Sequence, residues 1–113
     1  MTNYIWVTTQ KEMIHHYDDA PEDVNFLKYP HRHLFKIKVY LEVFHNGRDI
    51  EFIMFKRWLE KTLNSYGEYL ENKSCEMLSD ELAEIIAIEY SGREIKIEIS
   101  EDGENGTFKE YSR

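Results

Sequence analysis

Between His31 and Val43 the chain alternates without a break. His31, His33, Phe35, Ile37, Val39, Leu41 and Val43 occupy one set of positions, while the interleaved set includes Arg32, Lys36, Lys38 and Glu42. A period of two sends each set to its own face of a β-strand, so one face meets a core and the other meets water. The strand is predicted over 31–44, and Asn46-Gly47 turns the chain after it.

The rest of the chain is read around that strand. Tyr4 to Thr9 is aromatic, β-branched or apolar, and Lys11 to His15 continues the same extended path as a first strand. The stretch from Tyr17 to Pro30 holds two prolines and four acids without a period, and reads as a long loop. From Glu51 to Tyr66 the apolar residues Phe52, Phe55, Leu59, Leu63 and Tyr66 recur at three and four, with Lys56, Arg57, Glu60 and Lys61 outward, which predicts an amphipathic helix. A second helix starts after Ser74, a suitable N-cap, and buries Met77, Leu78, Leu82, Ile85 and Ile86 before Ser91-Gly92 ends it. Ile95, Ile97 and Ile99 alternate with Lys96, Glu98 and Ser100 as a further strand, and the turn residues from Glu101 to Gly106 lead into a last one over 107–111. Strands in pairs, rather than alternating with helices, predict an α+β domain over 1–113: a ββααββ antiparallel sheet with two helices on one face.

Charge and composition narrow the function. Fourteen basic against twenty-two acidic residues leave a net charge of −8, which argues against nucleic acid as a partner, because phosphate backbones are bound by clustered Lys and Arg. The sequence offers neither a long apolar run nor a basic start followed by an apolar stretch, so no membrane span or signal peptide is expected and the cytoplasm is the expected location. The single cysteine, Cys75, has no internal disulfide partner, which fits a reducing compartment.

Four groups of residues can carry chemistry. His31 and His33, two apart on a strand, leave the same face as Phe35 and Ile37, and buried imidazoles there need partners. A metal ion is one such partner; ordinary hydrogen bonds at the end of the sheet are the other, and a histidine pair of this spacing is a weak motif alone. His15, with His16 beside it, ends the first strand and becomes their neighbour if the two strands form a hairpin. Three histidines leave a fourth coordination position open for ligand or water. A cupin also uses two histidines at this spacing, but it wants a carboxylate where this chain has Lys38, and it has no place for two long helices. Glu101, at a strand end, can accept two parallel N–H donors from a guanine-like or pterin ring, or be a solvated acid in a turn. Cys75, at the start of the second helix, is a weak candidate nucleophile, since the helix dipole favours thiolate there. His45 and the acidic residues Asp18, Asp19, Glu22 and Asp23 read as solvated.

Taken in order, Ile14-His15-His16-Tyr17, His31-Arg32-His33, Ile50-Glu51-Phe52, the run from Asn72 to Leu78, and Ile97 to Glu101 followed by Gly106 form a pattern over nearly the whole chain. It resembles the 6-pyruvoyl-tetrahydropterin synthase and 6-carboxytetrahydropterin synthase family. The resemblance implies a tunnelling fold (T-fold), in which subunits join their sheets into a barrel and a ligand sits between neighbouring chains. It implies a homo-oligomer, zinc or another divalent metal on His15, His31 and His33, with His16 the alternative to His15, and a pterin- or purine-type heterocycle anchored by Glu101. The family's catalytic cysteine, sought between Tyr17 and Pro30, and its Asp-His pair after the first helix are missing here. That implies altered or no synthase activity. The alternatives are a metal-dependent carbon-oxygen lyase that uses substitute residues such as Cys75, and a non-catalytic sponge for a purine nucleotide.

Overall fold

The computed structural model describes residues 1–113. In chain order it contains β1 (Asn3–His15), a short 3-10 helix (Glu22–Lys28), β2 (His31–Val43), α1 (Phe52–Asn64), β3 (Tyr69–Glu71), α2 (Cys75–Glu89), β4 (Ile95–Glu101) and β5 (Asn105–Tyr111). The strands form one sheet in the order β3-β1-β2-β4-β5. β1 and β2 run antiparallel from Asn3 opposite Val43 to His15 opposite His31, and the β2–β4 and β4–β5 pairs are antiparallel as well.

The four long strands and two long helices lie where the periodicities place them. Two features were not predicted. The loop after β1 winds into the 3-10 helix, and the connection between the long helices contains β3, which joins the sheet parallel to β1 and makes it a mixed sheet. β3 is only three residues long with a single buried side chain, Leu70, too little for a period to register. Its pairing matters for position: Ile14 donates to the Glu68 carbonyl at 2.7 Å and His16 to the Glu71 carbonyl at 2.8 Å, which clamps the end of β1 on its outer side.

Both long helices cover the same face. Phe55, Leu59 and Leu63 of α1 and Leu78, Leu82, Ala83 and Ile86 of α2 join Val7, Met13, Phe35, Ile37, Val39, Leu41, Ile95, Ile97 and Ile99 in one continuous core. Each fully buried aliphatic or aromatic side chain there contributes about 1.5–3 kcal/mol relative to exposure. The helix starts are fixed locally: the Glu51 carboxylate accepts the Ile53 and Met54 N–H groups, and Ser74 Oγ accepts that of Met77. Tyr111 ties α2 to β5, donating to Asp80 Oδ1 at 2.7 Å with Ser79 Oγ 2.8 Å away.

At the end of the sheet away from the histidines, the Glu42 side chain is almost fully buried and accepts from the Arg113 guanidinium and from the Glu94 N–H. Arg113, aided by that N–H, holds the Glu42 carboxyl at about 2, and Arg93 with the Phe44 N–H does the same for Asp49. Folded-state values below the unfolded ones mean that the stabilisation is fully present above the ordinary carboxylate range and disappears as pH falls through the folded value. Resistance to urea is therefore expected to fall between about pH 5 and about pH 2, and Arg113→Ala is expected to flatten part of that dependence; a variant with the wild-type pH profile refutes the role given to Arg113.

Gly106 faces Ser100 across the β4–β5 pair, and a β-carbon there would lie 2.0 Å from the Ile99 carbonyl oxygen. Gly106→Ala can be accommodated only by parting the two strands. It is expected to cost roughly 1–3 kcal/mol, read as a lowered urea midpoint; an unchanged midpoint refutes the close approach.

Candidate functional site

The register of β1 with β2 sets His15 directly opposite His31, and His33, two residues along, emerges on the same face. All three continue the core face beyond Met13 and Phe35, where the helices no longer cover it fully. His15 is buried, and His31 and His33 are half-buried. Ring centroids are 4.5 Å apart for His15 and His31, 5.4 Å for His15 and His33, and 5.0 Å for His31 and His33. One nitrogen from each ring lies within 4.8 Å of the others, a spacing that could hold a metal ion.

The hydrogen bonds around the rings decide which nitrogens face one another. His15 Nδ1 is 2.9 Å from the Lys73 carbonyl, His31 Nδ1 is 2.8 Å from the Tyr29 carbonyl, and His33 Nδ1 is 2.7 Å from Asp102 Oδ2. A carbonyl or carboxylate oxygen only accepts, so each Nδ1 carries the proton, and in the neutral ring each Nε2 is left as a bare lone pair. His15 has its pKa lowered from the ordinary 6.5 by burial, with help from the neighbouring His31 and His33, against the raising effect of the Lys73 carbonyl and Glu101. Its Nε2 is buried without a hydrogen-bond partner. The Asp102 carboxylate also accepts the Leu34 N–H at 2.9 Å, and that bond, with the one from His33, keeps it ionised below the ordinary aspartate value.

Glu101 closes the group. Its Oε2 lies 3.0 Å from His15 Nε2, without hydrogen-bond geometry, and its Oε1 lies 3.6 Å from His33 Nε2. Imidazole lone pairs and a carboxylate thus converge with no donor between them. Such an array suits a cation, and imidazoles oriented through Nδ1 by carbonyl and carboxylate acceptors are the usual setting of metal-binding histidines. His15, His31 and His33 fit a metal on this observation.

A cleft of about 650 Å³ opens beside the cluster, walled by Tyr17, Leu27, Asn72, Met77, Asn105 and Thr107. Its walls come from the loop after β1, the 3-10 segment, the start of α2 and the β4–β5 turn. The Glu101 carboxylate reaches both the cleft and the imidazoles. Of the two adjacent histidines at the end of β1, only His15 joins the cluster; His16 also lines the cleft and binds Asp18 Oδ1 through Nδ1 at 2.7 Å. Cys75 lines the cleft, but its thiol is pushed up to about 12 by burial and by the Glu101 and Glu76 carboxylates. Desolvation and nearby negative charge work against the helix dipole here, which weighs against Cys75 as a nucleophile. His45 is exposed in the turn after β2, remote from the cluster, beside Asp49 and the Gly47 N–H.

Sequence reasoning misses Asp102, the residue that orients His33. It sits in a run of turn-forming residues and reads as a solvated charge, and only a backbone φ of 60° at the end of β4 swings it back onto β2. The sole sequence signal is its place next to Glu101. No family model matches the chain, and no curated protein matches it.

If Asp102 orients His33 as a metal ligand, Asp102→Ala is expected to weaken zinc binding by roughly 10–100-fold. Competition with a chromophoric chelator measures this, and equal affinities for variant and wild type refute the orienting role.

Proposed function

We propose that this chain is a divergent tunnelling-fold protein of the 6-pyruvoyl-tetrahydropterin and 6-carboxytetrahydropterin synthase type. In this reading it binds a pterin- or purine-type heterocycle next to a zinc ion held by His15, His31 and His33. The observation that carries the reading is the convergence of three oriented imidazoles and the Glu101 carboxylate at the mouth of one cleft. Glu101 is the anchor for paired N–H donors of the heterocycle, because a carboxylate matches two parallel donors in both spacing and charge. A pocket of about 650 Å³ has room for a bicyclic ring with a side chain.

A divalent ion at this position supplies Lewis acidity toward a carbonyl and lowers the pKa of a bound water. Around it, this chain's own residues bind and orient. His15 and His31 are fixed by backbone carbonyls, His33 by Asp102, and Tyr17, Leu27 and Met77 supply apolar wall. The Cys75 thiol is pushed up by burial and by the Glu101 and Glu76 carboxylates, which favours binding without synthase turnover over the lyase alternative.

The sheet edges support a homo-oligomer. The outer side of β5 has no neighbouring strand, and β1 has none along 3–13, so two unpaired edges are open to another copy. One cleft wall is the β4–β5 turn beside such an edge, which agrees with sites lying between subunits.

Metal content and ligand binding test the proposal separately. Protein purified without a histidine tag is expected to carry close to one equivalent of zinc per chain by elemental analysis, and less than about a tenth of an equivalent of any divalent metal overturns the metal site. Fluorescence titration with a pterin and with a guanine nucleotide is expected to show binding that Glu101→Ala weakens by at least about tenfold, in line with the loss of a charge-assisted bidentate contact. Equal affinities for the two proteins overturn the anchor.

A further inference from the structure

The Glu101 carboxylate lines the cleft and at the same time lies against the imidazoles, where its two oxygens stand 3.0 Å and 3.6 Å from the Nε2 atoms of His15 and His33. From these positions we infer that Glu101 is itself a metal ligand, closing the three-histidine site to a three-histidine, one-carboxylate site in the ligand-free protein. The inference rests on the metal reading above and adds the identity of the fourth donor.

Three observations carry it. The contact between Glu101 Oε2 and His15 Nε2 pairs two acceptors, because Nδ1 of His15 spends its proton on the Lys73 carbonyl. Acceptors this close repel unless a cation lies between them, and the 3.0 Å separation lacks the geometry of a hydrogen bond. The distances themselves suit a shared ion: two ligands of a tetrahedral zinc, with bonds near 2.1 Å, stand roughly 3.4 Å apart, which the two observed separations bracket. Finally, the carboxylate is held in place by the fold. Glu101 is the last residue of β4, paired opposite Phe35 of β2, and the following residue, Asp102, donates its N–H to the Leu34 carbonyl at 2.8 Å while its side chain binds His33. One strand end therefore delivers a metal ligand and the residue that orients another.

Borderline ions such as zinc accept imidazole and carboxylate together, so the donor set suits zinc better than softer, thiolate-seeking metals. A heterocycle that engages Glu101 has to draw the carboxylate away from the ion, and the anchoring and ligating roles of this residue then alternate.

The test uses the full chain without a histidine tag, stripped with a chelator and checked for folding by circular dichroism. Zn²⁺ affinity is measured in competition with a chromophoric chelator, and Co²⁺ is added in parallel while the visible spectrum is recorded. Glu101→Gln, nearly isosteric, is expected to bind Zn²⁺ at least about tenfold more weakly than wild type and to give a Co²⁺ spectrum of different shape and intensity. If Glu101→Gln does not fold, Glu101→Asp, which keeps the charge but withdraws the oxygens by one methylene, carries the comparison: weaker binding supports the ligand role and unchanged affinity overturns it. Wild type and Glu101 variant that share one affinity and one spectrum, both binding more tightly than His33→Ala, overturn the role of Glu101 while the three-histidine site stands. A wild type that binds no more tightly than His33→Ala overturns the ligand role and the metal reading together.

Discussion

β1 and β2 remain in register along their full length, from Asn3 opposite Val43 to His15 opposite His31, and the rest of the molecule is hung on that ladder. A slip of one residue would move Phe35, Ile37, Val39 and Leu41 from the core to the solvent face, so burial of those side chains locks the pairing. The same lock sets the histidines. Because His15 and His31 are cross-strand partners and His33 is one period further on, any arrangement that satisfies the core also gathers the three imidazoles at its open end. Packing energy, not metal affinity, does the first part of building the site.

The second part is electrostatic. At the far end of the sheet Glu42 and Asp49 are matched by Arg113 and Arg93. At the histidine end the matching stops. Three Nδ1 protons are consumed by acceptors behind the rings, and the front of the cluster presents lone pairs and a carboxylate to one another. Natural cores rarely leave such groups unpaired, since each buried polar atom without a partner costs about 1–3 kcal/mol. At the cluster the buried and unpaired atom is His15 Nε2, and a cation held between the three imidazoles would remove that cost.

Much of the fold was legible because its signals are local. Period-two alternation over β2 and β4, the three-and-four spacing of Phe55, Leu59 and Leu63, and the capping position of Ser74 each depend on a handful of neighbouring residues, and the structure has an element at every one. β3 was not legible, because a three-residue strand with one buried leucine carries no period and owes its existence to the free outer side of β1 near Ile14. The site was legible in part. His31 and His33 share a face by spacing alone, and His15 follows from a hairpin. The choice of His15 over His16 depends on which of the two is paired across from His31, and the setting of Cys75 depends on how deeply the start of α2 is buried near Glu101 and Glu76.

By itself, then, the sequence determined the elements, the core face of each strand and the residue types available at the end of that face, since periodicity and capping act over a few residues. Only the tertiary structure decided that Asp102 folds back onto His33, that the Lys73 and Tyr29 carbonyls claim the Nδ1 protons, and that Glu101 points into the cluster rather than away from it. Those contacts join residues from four separate parts of the chain at distances below 4 Å, where direction and tautomer count. No spacing along the sequence encodes the direction in which a lone pair points.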